Sequence, residues 1–230
     1  LHTHMKTTIT LIAAMLLLAA VGCTQAGQKV PSSVQSESAQ DKVPEGARYG
    51  VKSAIIKKTS PCIMFMDAVR EITVYIDDYG AKEAVEVNMD AEQIQQHTLA
   101  IREAGGKTIV IDLDGKTASR IQDNEPRDYR HLTPEEIKRF KITKAGTETV
   151  AGKPCKVFRM DLSEGGEEGY DLIATRYVWE GIVLAQELSS EMMHGLNTVE
   201  EVQSIELNVP IPPEKFEIPK GIKIKESPNE

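Results

Sequence analysis

The stretch ITVYIDDYGAKEAVEVNM, Ile72–Met89, decides the fold. Ile72, Val74 and Ile76 alternate with Thr73, Tyr75 and Asp77, and Val85, Val87 and Met89 alternate with Glu86 and Asn88. Period-two alternation puts the aliphatic set on one face of an extended chain and the polar set on the other. Asp78-Tyr79-Gly80 lies between the two runs as a turn signal. The stretch therefore predicts an antiparallel hairpin with one apolar and one polar face.

The pattern continues in both directions. Val51–Lys58 predicts a strand ahead of the hairpin. Downstream, Thr98–Glu103 and Lys107–Leu113 flank Gly105-Gly106 as a second hairpin, and Asp114-Gly115 turns the chain into Lys116–Ile121. After Gly146, the segments Glu148–Val150, Cys155–Leu162, Asp171–Trp179, Ile182–Ser189 and Val199–Val209 read as further strands, with a loop over Ser163–Gly169 and a Pro-rich close over Ile211–Gly221. One helix interrupts them. Thr133-Pro134-Glu135-Glu136 is a capping box with Pro at the first helical position, and Ile137 and Phe140 share a face for packing on a sheet over two or three turns. Asp90–Gln96 is a candidate for a second short helix. No helical segment separates successive strands, so parallel βαβ units are not expected. The fold class predicted is mainly β (α+β), with about nine or ten antiparallel strands and one or two helices.

The N-terminal part reads differently. Leu11–Val21 is an unbroken apolar run of eleven residues behind Lys6, the length of a secretory h-region and short of the ~20 residues of a spanning helix. Ala20-Val21-Gly22-Cys23 resembles the lipobox of bacterial lipoprotein precursors, which implies cleavage before Cys23 and lipidation of that cysteine. Thr24–Gly46 contains Ser, Gln, Pro, Gly and Lys with few apolar residues, the composition of a flexible tether spanning about 25 Å. The organisation expected is a signal peptide at 1–22, a lipidated N-terminus and linker at 23–46, and a folded domain at 47–230.

Two further motifs bear on family. Gly-Lys-Pro-Cys-Lys-Val-Phe (152–158) opens a long meander, and Ile-Pro-Pro-Glu-Lys-Phe-Glu-Ile-Pro-Lys-Gly (211–221) ends it. Together with the element order, they resemble the LolA/LolB-like superfamily over roughly residues 48–226. The long helix that precedes the first strand in that family is replaced here by the Ser/Gln-rich linker. The resemblance implies a strongly curved antiparallel half-barrel, with helices covering an apolar concavity. It also implies an exported, membrane-anchored, outer-membrane lipoprotein with a role in lipoprotein sorting. Its partners would be a membrane, a lipid or acyl-bearing ligand, or an envelope protein.

Composition narrows the chemistry. The formal charge of −8 argues against nucleic acid and anionic headgroups as partners, and 4 Phe, 6 Tyr and 1 Trp supply few stacking platforms. There is no His-Glu-x-x-His or Cys-x-x-Cys spacing for zinc and no Gly-x-Ser-x-Gly elbow. Asp112-Leu113-Asp114-Gly115 reads as a hairpin turn, because Val110 and Ile121 stand where a calcium loop needs acids. No enzyme, metal or cofactor is expected. Cys62 and Cys155 are either a disulfide pair, in an oxidising compartment, or two separate buried thiols.

What remains is the apolar face. A twisted sheet of this size curls, and its concave face must fill itself or admit a guest. Ile72, Val74, Ile76, Val85, Val87, Ile109 and Ile111 are the expected cavity lining. Two readings follow: a binding protein for an acyl chain, lipid or lipidated peptide, or an envelope interaction module with a solid core. An open concavity favours the first, and a packed interior with an exposed apolar patch favours the second.

Overall fold

A computed structural model describes residues 42–62, 68–91, 94–123, 125–163, 172–190 and 197–225. These residues fall within one unit, Asp41–Glu230. The central hairpin forms as its alternation predicts. β1 (Ala54–Pro61), β2 (Val69–Asp77), β3 (Lys82–Ala91), β4 (Ile94–Glu103), β5 (Lys107–Asp112) and β6 (Thr117–Gln122) follow one another as an antiparallel meander. The turn between β2 and β3 is a 3-10 segment, Asp78–Gly80, whose three residues all take positive φ. The expected helix over Asp90–Gln96 does not form. Asp90 and Ala91 end β3, Ile94–Gln96 begin β4, and Asp90 pairs with Gln95. Cross-strand pairing outweighs the weak local helical signal there.

The helix capped at Thr133 is present as α1 (Pro134–Arg139), with both arms of the capping box made between Thr133 and Glu136. It is shorter than two full turns. It leads directly into β7 (Ile142–Val150), which begins earlier than Glu148. β8 (Lys153–Asp161), β9 (Ile173–Trp179) and β10 (Ile182–Ser189) extend the meander, and the predicted final strand divides into β11 (Asn197–Val199) and β12 (Glu201–Leu207). The described residues thus contain thirteen strands, the last being β13 (Lys223–Lys225), parallel to β6.

The division of the last long strand joins two sheets. β11 pairs with β10, whereas β12 pairs with β1. Glu200 stands at the break, its N–H donating to the Gln186 carbonyl at 2.9 Å. The strand order β7-β8-β9-β10-β11 thereby passes into β12-β1-β2-β3-β4-β5-β6-β13, open at both ends. The β7 edge is exposed along most of its length and carries a bulge between Lys144 and Gly146, a feature that discourages edge-to-edge pairing.

Three apolar clusters hold this arrangement. Ala54, Ile56, Ile72, Val74 and Ile76 from one sheet pack with Cys155, Val157, Tyr177, Ile182, Leu184 and Ala185 from the other. Side chains of opposite parity on the first sheet, Tyr75, Ala84, Leu99, Ile101, Ile109, Ile111 and Ala118, form a second cluster covered by Ile211, Phe216 and Ile222. Tyr129, Leu132, Ile137 and Phe140 cover a third, built on Phe158, Met160, Ala174 and Val178. The Pro-rich close is therefore a strap over the outer sheet face. Lys215 latches it: its ammonium meets the Glu86 carboxylate at 2.9 Å and lies 4.7 Å from the Tyr75 ring centre.

The latch is sensitive to acid. Burial opposes ionisation of Glu86, but the Lys215 ammonium and the Tyr75 hydroxyl hold its pKa below the usual range. A depressed carboxylate stabilises the fold above its unfolded pKa of about 4.3, and that stabilisation is lost as pH falls through the lower folded value. Pepsin cleavage within 208–225 is expected to rise sharply between roughly pH 5 and pH 3. In Lys215→Ala it should already be fast at the upper end of that window. A wild-type cleavage rate that follows pepsin activity alone would remove the latch.

Candidate functional site

A cavity of about 390 Å³ lies against the inward face of β2 and β3. Its aliphatic wall is Ile72, Val74 and Ile76 from β2 with Val85 and Val87 from β3. These pairs stand opposite in the ladder, Ile72 with Val87 and Val74 with Val85, so the wall is two strands wide. Ile182, Val183, Gln186, Pro126 and Tyr129 line it further. The volume lies in the usual range for small-molecule pockets.

Five of the seven expected lining residues are brought together here. Ile109 and Ile111 are not. They sit on the opposite face, in the cluster beneath the strap. Register explains the correction. Ala100 pairs with Val110, and Val85 with Ala100, so Val110 shares the inward parity. Ile109-Val110-Ile111 is apolar on both faces, and its parity is set by the β4–β5 pairing rather than by its own pattern.

Of the two readings of Cys62 and Cys155, the structure has them as separate free thiols, Cys62 half-buried and Cys155 buried. Cys62 follows β1, its N–H donating to the Ala68 carbonyl, whereas Cys155 is fully buried on β8 opposite Glu148. Burial raises the Cys155 thiol above its ordinary pKa, which suits a small hydrophobe and not a nucleophile. Leu11–Cys23, including the expected lipidation site Cys23, lies outside the described residues, as does Glu164–Gly169 of the predicted loop. Among the described residues, no group of three or more His, Cys, Asp or Glu is placed to hold a metal.

One end of the cavity is lined by a partly buried ionic network centred on Glu83. Glu83, with 7% of its side chain exposed, accepts from Arg48 Nη2 at 2.8 Å, the Tyr49 hydroxyl at 2.7 Å and Arg102 Nε at 3.0 Å. Arg102 Nη2 donates to Glu125 at 3.0 Å, and Glu125 also accepts from Arg176 Nη2 at 2.5 Å. Asp123 accepts from Arg127 and, at 2.6 Å, from the Thr108 hydroxyl. The network ties β3 and β4 to the 123–129 loop and to β9.

This geometry sets the ionisation of its members. Burial pushes the Tyr49 hydroxyl well above its ordinary pKa, and the Glu83 carboxylate adds to the effect. Burial also carries Tyr129 up to about 12. Burial would lower Arg102, but Glu83 and Glu125 more than offset it and hold its pKa up. Burial opposes ionisation of Asp123 too, yet Arg127 and Thr108 keep its carboxyl below the usual range.

Local backbone seats the N-terminal contributors. Gly80 has φ +90°, and a Cβ there would meet the Tyr49 ring at 2.5 Å. Gly181, at φ +88°, lets the Arg48 carbonyl come where a Cβ would stand 2.5 Å away. Only glycine combines these dihedrals with such close approach.

The ionic residues were not among the expected site residues, although parity alone puts three of them on the inward face. Glu83 is two residues before Val85 and Arg70 two before Ile72, so both share the aliphatic parity, and Arg102, which follows Ile101 opposite Ala84, reaches Glu83 at 3.0 Å. At the other end of the wall, Lys58 is buried, donating to the Val183 carbonyl at 2.9 Å and to Glu200 at 3.0 Å.

No family model matches the chain, and no curated protein matches its sequence. Among solved structures, the chain is similar to an uncharacterized conserved protein from Thermus thermophilus, at 7% identity over 76% of this chain and 91% of that one, TM-score 0.45. It is similar to a chain of the Pseudomonas aeruginosa MucA/MucB complex, at 12% identity over 75% of this chain and 58% of that one, TM-score 0.42. It is also similar to a domain assigned to outer membrane lipoprotein sorting from Vibrio parahaemolyticus, at 10% identity over 74% of this chain and 92% of that one, TM-score 0.39. At such identities no residue of the cavity is matched to a residue of known role.

Proposed function

We propose that this chain is a binding protein without catalytic chemistry, and that its cavity takes the aliphatic chain of a lipid or acylated molecule. One observation carries this reading: Ile72, Val74, Ile76, Val85 and Val87 on the inward faces of β2 and β3 line one side of an unfilled space of about 390 Å³ whose remaining lining is largely charged. Each methylene moved from water onto such a wall contributes about 0.8 kcal/mol before the costs of association. A solid-core interaction module would instead show a packed interior and a contiguous apolar patch outside. Among the described residues the exposed large apolar side chains are Val69, Ile121, Val199, Ile218 and Ile224, of which Ile121 and Ile224 lie on the paired strands β6 and β13. The same reading has Cys23 carrying the lipid anchor, with the folded domain held in the bacterial envelope by the 23–46 tether and serving the sorting or handling of acylated molecules.

Val87→Glu tests the cavity. An unpaired carboxylate on the aliphatic wall costs several kcal/mol if the site is dry, so binding of a fluorescent fatty-acid probe should fall at least tenfold. The far-ultraviolet circular dichroism spectrum should stay β-rich. A wild-type protein that binds no such probe would contradict the proposal. A variant that unfolds would mean that Val87 is core.

A further inference from the structure

We infer that the cavity selects an anionic single-chain amphiphile, whose carboxylate or phosphate is held by Arg70. The inference rests on the lipid-binding reading above and adds a head group and an orientation to it.

Five cationic side chains line the cavity: Lys58, Arg70, Arg102, Arg127 and Arg176. Four of them are matched by carboxylates. Lys58 pairs with Glu200, Arg102 with Glu83 and Glu125, Arg127 with Asp123, and Arg176 with Glu125. Among the described residues, Arg70 has no carboxylate partner. Its guanidinium donates from Nη2 to the Ser60 hydroxyl at 3.0 Å, and its Nε, like those of Arg48 and Arg176, is buried with no acceptor. A buried donor nitrogen without an acceptor is costly, and an incoming oxyanion on the guanidinium would relieve that cost.

Position gives the orientation. Arg70, Ile72, Val74 and Ile76 share one face of β2, with Arg70 at one end. Ser60 stands directly opposite Arg70 on β1, and Ile76 stands opposite Glu83. At about 3.4 Å per residue, the row from Arg70 to Ile76 is roughly 20 Å long. It begins at Arg70, which has no carboxylate partner among the described residues, and ends at the Glu83–Arg102 network. A chain lying along Ile72, Val74 and Ile76 thus puts its anionic head at Arg70 and its tail towards the network. The reverse orientation would bring the head to arginines that already hold the Glu83, Glu125 and Asp123 carboxylates, whereas Arg70 holds none among the described residues. The net charge of −8 cannot attract an anion from a distance, so selection has to come from this local contact.

Isothermal titration of the whole protein tests the assignment with four probes: dodecanoate, dodecyl phosphate, the neutral glyceryl monolaurate and inorganic phosphate. The two anionic amphiphiles should bind roughly 10- to 100-fold more tightly than the neutral one, the range of a charge-assisted hydrogen bond. Arg70→Gln should abolish that preference while leaving glyceryl monolaurate affinity within a factor of about two, and Arg70→Lys should restore part of it. Retained neutral binding in Arg70→Gln shows that the variant is folded, and if it does not fold, Arg70→Lys is read in its place against the wild type. Equal affinities for charged and neutral amphiphiles in the wild type would overturn the inference and leave the lipid-binding reading intact. So would an undiminished preference in Arg70→Gln. Inorganic phosphate binding as tightly as dodecyl phosphate would overturn it in favour of an anion site indifferent to the chain. Failure of all the dodecyl probes would remove the lipid-binding reading itself.

Discussion

Replacing Glu83 by Ala is expected to lower the unfolding free energy by about 3–5 kcal/mol, the cost of removing one partner from a buried ion pair. Three donors, on Arg48, Tyr49 and Arg102, lose their shared acceptor at once. Arg102 keeps Glu125 and part of its compensation, whereas Arg48 keeps, among the described residues, its stacking on the Tyr49 ring, 4.9 Å from the ring centre. For a domain of this size the thermal midpoint should fall by roughly 10 °C. Little of that loss should depend on added salt, because buried charges are poorly screened. Glu83→Gln keeps the shape and one acceptor, so it should cost less than Ala. A double-mutant cycle with Arg102→Ala should return a coupling of about 0.5–3 kcal/mol. A Glu83→Ala midpoint within a degree or two of wild type would mean that water replaces the carboxylate and that this end of the cavity is wet.

Ile56→Ala should be as severe for a different reason. Ile56 is fully buried in the cluster that draws on both sheets, with Ile72 and Ile76 beside it on one sheet and Cys155, Ile182 and Leu184 on the other. Truncation removes three methylene-sized groups and leaves a void where two layers meet, at a typical cost of about 2–5 kcal/mol. Chemical denaturation should show a lower midpoint with an unchanged slope. Ile121→Ala, at a position 48% exposed, is the matched control and should stay within about 0.5 kcal/mol. Equal effects at the two sites would mean that the two sheets do not share a core at Ile56.

Much of this architecture was legible in the chain. The alternation of Ile72, Val74 and Ile76 with Thr73 and Tyr75 states which side chains face inward, and the capping residues of Thr133-Pro134-Glu135-Glu136 fix where α1 begins. Legibility failed where local pattern does not carry the deciding information. Ile109-Val110-Ile111 is apolar on both faces, so only pairing with β4 settles which residue points into the cavity. Val199–Val209 reads as one strand because the move from one sheet to the other at Glu200 leaves no polar or turn residue behind that differs from an ordinary solvent-facing acid. The ionic network was harder still. Its members, Arg48, Glu83, Arg102, Asp123, Glu125, Arg127 and Arg176, are contributed by separate strands and loops, and no spacing in sequence brings them together. Glu83 and Arg70 did carry a local signal, being charges at inward parity, and both proved to mark the ends of the aliphatic wall.

The central claim is that the face carrying Ile72, Val74, Ile76, Val85 and Val87 contacts a bound aliphatic chain. Methyl NMR of protein labelled at Ile and Val, titrated with dodecanoate, tests it most directly. Saturable shifts are expected on those five residues and on Ile182, with Ile109 and Ile111 beneath the strap unmoved. Shifts confined to Ile109 and Ile111, or no saturable shift on the β2–β3 wall, would contradict it.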